Sequence, residues 1–182
     1  MSSVHAAWAC ILPPKFPLIL GCEGAGVLED STHVLLYPAM GDSDFESDEM
    51  LDSKRNIFSE QTNGTLAEYV IAPRRNVVHR PQELSAVDAS VLGVAWPTAY
   101  RMRFTKSGLR AGQTMLVQGS SGCVTTALIQ LGSAAGMRVW CTGRSPKKRE
   151  LGLRLGAKKA FTSGKQIPEK ANVVFETSGE VT

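Results

Sequence analysis

Residues 114 to 126, Thr-Met-Leu-Val-Gln-Gly-Ser-Ser-Gly-Cys-Val-Thr-Thr, constrain the fold more than any other stretch of the chain. Met115 to Gln118 reads as a short buried strand and Gly119 to Gly122 as a tight turn, and an apolar-periodic segment opens at Val124. A strand that turns sharply into a helix leaves free backbone N–H groups at the helix N-terminus, an arrangement that favours a phosphate. A glycine at the closest point removes the Cβ that would hold the phosphate away. Only Gly119 and Gly122 are present where a full dinucleotide fingerprint has three glycines. Thr125 stands at the third position, where it is expected to shift the helix outward and weaken pyrophosphate binding. The same turn also serves as a plain strand–helix corner, so the neighbouring sequence decides its meaning.

Downstream, Val124, Ala127, Leu128, Leu131 and Ala135 recur at helical spacing, and Gly136 is a natural stop. Met137 to Thr142 reads as a strand buried on both faces. Ser145 caps a further helix with Pro146 in its first turn, and Gly156 ends it. Ala160 to Thr162 and Ala171 to Thr177 are two more strands. Strand, helix, strand, helix, strand, strand is the first half of a doubly wound parallel sheet, an α/β class. The stretch from Met115 to Thr142 has the length of a βαβ crossover, which favours the dinucleotide reading of the turn.

Upstream, residues 1 to about 80 look strand-rich and irregular. Residues 17–28 carry short apolar runs punctuated by Gly21, Gly24 and Gly26, and His33 to Tyr37 is a strand closed by Pro38. Acidic residues and serines dominate from Gly41 to Glu60, which predicts a solvated loop. Thr65 to Ile71 alternates as a strand should, with Pro73 ending it. The composition changes near Pro81, where Ser85 and Asp88 form a capping-box pattern for a helix running towards Ala95. Pro97 suits the first turn of the next helix. The expected division is a β-rich domain over residues 1–84 and an α/β domain over residues 85–182.

Composition excludes several classes. No segment approaches the roughly 18 apolar residues of a membrane span, and the N-terminus lacks the basic start of a signal peptide. Cys10, Cys22, Cys123 and Cys141 include no C-x-x-C pair, so neither a disulfide framework nor a structural zinc knot is indicated. A reducing, cytoplasmic setting fits. A formal net charge of +3, without a basic stripe interleaved with aromatics, points away from nucleic acid.

The end of the second parallel strand selects between the nicotinamide cofactors. NAD sites place an Asp or Glu there to accept from the adenosine ribose. This chain has Thr142-Gly143-Arg144-Ser145, then Lys147, Lys148 and Arg149, with no carboxylate until Glu150. A 2′-phosphate takes a guanidinium fork and a hydroxyl donor. Arg144, Ser145 and Lys148 supply them, so NADPH (cofactor NADP) is favoured over NADH. Lys147 and Arg149 read as the wet face of the helix.

Several segments quoted above resemble the medium-chain dehydrogenase/reductase superfamily, its quinone-oxidoreductase-like and alcohol-dehydrogenase-like members in particular. They are Pro-Leu-Ile-Leu-Gly-Cys-Glu-Gly-Ala-Gly-Val (17–27), Gly-Thr-Leu-Ala-Glu-Tyr-Val (64–70), Asn-Val-Val (76–78), Leu-Gly-Val-Ala-Trp-Pro-Thr-Ala-Tyr (92–100) and Gly-Gln-Thr-Met-Leu-Val-Gln-Gly-Ser-Ser-Gly (112–122). The resemblance implies a partial GroES-like β domain followed by a partial Rossmann domain. It also implies an NADPH-dependent oxidoreductase that transfers a hydride to a carbonyl, a conjugated enone or a quinone. By the same resemblance Gly119, Ser120, Ser121, Gly122, Cys123 and Val124 line the pyrophosphate, and Thr98 and Ser178-Gly179 the nicotinamide; Thr98 can equally satisfy its own helix start. The slot of the family's zinc-binding histidine holds Cys22, and the loop from Gly41 to Glu60 has none of the structural-zinc cysteines, which implies a zinc-less type with no metal. No proton donor stands out among Tyr37, Tyr69, Tyr100, His5, His33 and His79.

Family members are much longer at both ends, so the chain is expected to be a fragment or a truncated relative. Longer members form homodimers, an assembly in doubt for 182 residues. The alternative function is a non-catalytic nucleotide-binding remnant that acts through partner or self association.

Overall fold

The computed structural model describes residues 16–177. The chain forms two compact units, the first ending at Val94 and the second beginning at Ala95. In the first, β1 (Ala25–Val27), β2 (His33–Leu36) and β5 (Val77–His79) form an antiparallel sheet in the order β1-β2-β5. A separate pair joins β3 (Ala39–Met40) to β4 (Asn56–Ile57). Asn76, fully buried, ties this unit together by donating to the carbonyls of Tyr37 and Ala39 at 2.8 and 2.6 Å.

Three expectations change here. The acidic stretch 41–60 is not a bare loop: β4 pairs within it, Phe58 is buried, and the Asp52 carboxylate accepts from the amides of Asp42 and Lys54 at 2.7 and 2.8 Å. The carboxylates that suggested solvation instead satisfy backbone donors. The strand expected over 65–71 does not form. Gly64, Thr65 and Leu66 donate to the carbonyls of Ile19, Gly21 and Leu20, but residues 67–71 pair with no described strand, and Ile71 is 97% exposed. Alternation alone does not make a strand without a ladder partner. The helix from Ser85 covers only α1 (Ala86–Ala89), capped by Ser85 Oγ, which accepts from the Asp88 amide at 3.0 Å. It stops because buried Gly93 packs under the Leu36 carbonyl and Glu23 Oε2 accepts the Val94 amide at 2.8 Å.

The second unit is α/β. α2 (Ala95–Tyr100) carries Pro97 in its first turn and continues into a π-helical turn over Arg101–Lys106. β6 (Thr114–Val117), α3 (Cys123–Ala134), β7 (Arg138–Gly143), α4 (Pro146–Arg154), β8 (Lys159–Thr162) and β9 (Val173–Phe175) follow. The four strands are parallel, in the order β8-β7-β6-β9. The chain leaves β6 in one direction to build β7 and β8, then returns to add β9 on the other side, which is the first part of a doubly wound sheet.

All four β6 residues are buried. Met115, Val117, Val139, Cys141, Ala127, Leu128 and Ile129 form one core between the sheet and α3, each almost fully shielded from solvent. Burying a side chain such as Leu128 or Ile129 contributes about 1.5–3 kcal/mol. Both helices need a glycine to approach: a Cβ on Gly132 would stand 2.4 Å from Met115 Sδ, and one on Gly152 would stand 2.4 Å from Cys141 Sγ. Met115 is flexible, whereas Cys141 is short and enclosed. Gly152→Ala should therefore lower stability by about 1–3 kcal/mol despite its better helix propensity; urea denaturation against the parent protein measures the loss.

Candidate cofactor site

The site forms where β6 hands over to α3. Gly119 has φ +94°, a conformation that side chains resist, and its N–H donates to Thr142 Oγ1 at the end of β7, at 2.9 Å. Ser120 is 1% exposed and its Oγ donates to the Lys148 carbonyl at 2.7 Å, tying the turn to α4. Gly122 is the N-cap of α3, and its N–H donates to Thr125 Oγ1 at 3.0 Å. The amides of Ser121, Cys123 and Val124 have no acceptor among the described residues. These donors stand at the positive end of the helix dipole.

The turn borders a cleft of about 340 Å³ at the C-terminal ends of the strands, where open α/β sheets bind ligands; Ser121 lines it, whereas Cys123 and Val124 do not. Gly119, Ser120, Ser121, Gly122, Arg144 and Lys148, all expected cofactor contacts, line it. Among the described residues Arg144 and Lys148 are its charged lining, and no carboxylate lines it. Arg149 is held away by donating from Nη1 to the Gly143 carbonyl at 3.0 Å, so it closes the β7–α4 corner rather than forming a wet face. Open amides beside two exposed cations fit a phosphorylated dinucleotide.

The other expected residues stand differently. Ser145 does not line the cleft; its Oγ caps α4 by accepting the Lys148 amide at 3.3 Å. The Cys123 side chain is exposed at the first position of α3, Val124 packs its side chain against the core, and neither residue lines the cleft. Thr98 is on α2, outside the cleft lining, and Ser178 lies outside the described residues. Ser120 lines the cleft with its hydroxyl already committed, leaving its backbone for a ligand. Thr125 is buried beside the turn, where a Cβ on Gly119 would meet its Cγ2 at an ordinary 3.5 Å. Thr142, Thr125, Ser163 and Thr177 also line the cleft and were missed. The strand-end position of Thr142 and the third fingerprint position of Thr125 were usable signals; Ser163 and Thr177 have none in sequence.

None of the described tyrosines or histidines lines this cleft. Tyr37 Oη donates to Glu49, Tyr100 stacks on Phe104 at 4.6 Å, Tyr69 is exposed, and His33 Nδ1 contacts Arg80. Cys22 is half-buried, with its thiol held above the ordinary range by desolvation and by the charge of Glu23. Among the described residues no group of three or more His, Cys, Asp or Glu could hold a metal, and no helix is long and apolar enough to cross a membrane. Cys10 and His5 lie outside the described residues.

Cys141, under α4, has its thiol pushed by desolvation from an ordinary 9.0 up to about 11. A raised folded pKa means that the fold holds the proton more tightly than the unfolded chain does. That contribution is complete below pH 9.0 and is lost as pH rises to about 11. The urea midpoint should fall across this interval, and Cys141→Ala should flatten that part of the pH profile.

No protein-family model matches the chain. It is 28% identical to the quinone oxidoreductase of Homo sapiens over 148 residues, which cover 81% of this chain and 41% of that protein. It superposes on the crystal structure of an NAD-dependent alcohol dehydrogenase with TM-score 0.81 and 27% identity, covering 87% of this chain and 51% of the other. The quinone oxidoreductase from Thermus thermophilus, solved also in complex with NADPH, matches with TM-score 0.67 and 27% identity, over 87% of this chain and 47% of that one. The chain thus spans about half the length of the proteins it matches or less. It is similar in sequence and in fold to quinone oxidoreductases and alcohol dehydrogenases, the medium-chain dehydrogenase/reductase proteins that its segments resemble.

Proposed function

We propose that this chain carries the NADPH site of an oxidoreductase acting on carbonyl compounds, conjugated enones or quinones. The observation that carries the reading is the lining of the cleft, where Arg144 and Lys148 stand beside the open start of α3 and, among the described residues, no carboxylate is present. The amides of Ser121, Cys123 and Val124 would receive the pyrophosphate, and Arg144 and Lys148 the 2′-phosphate; Ser145, whose hydroxyl accepts the Lys148 amide, would hold Lys148 in place. Thr98 and Ser178 are assigned to the nicotinamide side. When bound, the cofactor supplies the hydride; the protein contributes orientation and a water-poor surface. Gly119 admits the diphosphate because nothing projects from its Cα. In this reading the protein works in the cytoplasm, with Cys22, Cys123 and Cys141 as free thiols.

A second reading, a nucleotide-binding remnant without catalysis, draws on β9. Among the described residues β9 pairs with β6 alone, and Val174 is 50% exposed. Such an edge can recruit another chain or a second copy. Nicotinamide turnover with a panel of quinones and enals separates the two: binding without turnover favours the remnant.

Arg144→Asp should weaken NADPH roughly 10- to 100-fold, because a charge-assisted bond is replaced by repulsion. Binding of NADH, which lacks the 2′-phosphate, should change little. Fluorescence titration of both cofactors reads this, and equal losses would remove the 2′-phosphate assignment.

A further inference from the structure

The turn contains two glycines, and neither leaves its amide open to the cleft. Gly119 N–H donates to Thr142 Oγ1, and Gly122 N–H donates to Thr125 Oγ1. Thr125 Oγ1 also donates to the Gly122 carbonyl at 2.9 Å, so a single hydroxyl holds the Gly122 residue through both its N–H and its C=O. Thr125 is 4% exposed. Its Cγ2 abuts Gly119, and threonine is stiff about χ1, so the hydroxyl cannot swing away without losing contact on two sides. Gly122 itself has no Cβ to restrict its backbone. Its conformation sets the direction of the next two amides, Cys123 and Val124, which begin α3 and have no acceptor among the described residues.

We infer that Thr125 is a positioning residue for the diphosphate: by clamping Gly122, which lines the cleft, through its hydroxyl it fixes the start of α3 and the direction of the Cys123 and Val124 amides. The inference rests on the reading of the cleft as a nucleotide site. A fingerprint glycine at this position serves close packing of helix and strand. In this chain the position instead carries a hydrogen-bonded clamp on Gly122, and donors held in place need no reorganisation when a ligand arrives. The hydroxyl is spent on Gly122, so Thr125 acts through the peptide and does not itself touch the ligand.

Thr125→Val keeps the shape and removes the hydroxyl, whereas Thr125→Ser keeps the hydroxyl and removes the methyl. Both variants and the parent are titrated with NADPH, NADH and adenosine 2′-monophosphate, which has no pyrophosphate. Thr125→Val should weaken NADPH and NADH by the same factor, about three- to tenfold, and leave the monophosphate unchanged. Thr125→Ser should bind all three as the parent does. A merely structural role would lower the thermal midpoint without separating the diphosphate ligands from the monophosphate. Unchanged or tighter NADPH binding by Thr125→Val overturns the inference, as does an equal loss for all three ligands.

Amide hydrogen exchange of the parent protein is independent of whether the variants fold. Gly122 should be protected without nucleotide, and Cys123 and Val124 only with NADPH; a Gly122 amide exchanging as fast as that of Cys123 in the free protein overturns the clamp. A parent protein that binds none of the three ligands overturns the nucleotide reading itself, and the positioning role with it.

Discussion

Parallel pairing on both sides of β6 is the constraint from which the rest of the second unit follows. Its residues pair with β7 along one edge and with β9 along the other, and none of them reaches solvent. A strand buried on both faces and both edges can change direction only at its ends. The exit at Gln118 therefore has to be abrupt, and Gly119 takes the positive φ that makes it so. Asn172 secures the far end: its amide donates to the Thr114 carbonyl and its Oδ1 accepts the Thr114 amide, at 2.9 and 2.8 Å. The same two residues thereby align β9 with β6.

Close packing and the cleft are consequences of one another. Gly152 lets α4 lie against Cys141 and Ser120, and Ser120 in turn bonds to the Lys148 carbonyl of that helix. This draws the start of α4, with Lys148 and the neighbouring Arg144, towards the start of α3. Two sources of positive potential then meet: helix N-termini with open amides, and cations on long side chains. Arg149 is withdrawn from that set because the Gly143 carbonyl takes its guanidinium. Of three adjacent basic residues on α4, position along the helix decides which faces the cleft, since neighbours one residue apart point in different directions.

Much of this was legible in the residues. The buried run at 115–118, the helical spacing after Val124, the Ser145–Pro146 start and the glycine stops are local signals, and local physics was enough to realise them. The turn glycines and Arg144 and Lys148 were likewise visible as chemistry at a fixed distance from a strand. In the first unit local signals were misleading. The carboxylate of Asp52 reads as a solvent-facing charge until it is seen to accept two amides. The alternation of residues 65–71 reads as a strand until no described ladder is found beside it.

What the sequence by itself determined is the kind of corner this chain makes: a strand, a glycine turn and a helix that must present amides, followed by a strand end rich in cations and lacking a carboxylate. Those properties depend on residues within a few positions of one another, where backbone sterics and helix periodicity act. Only the tertiary structure decided which polar groups remain available. Thr142 reaches Gly119 across 23 residues and Lys148 reaches Ser120 across 28, and each such bond removes a donor or a hydroxyl from the site. Hydrogen bonds between segments brought together by the sheet have no signature in the spacing of residues, because their partners are chosen by register and burial rather than by sequence neighbours.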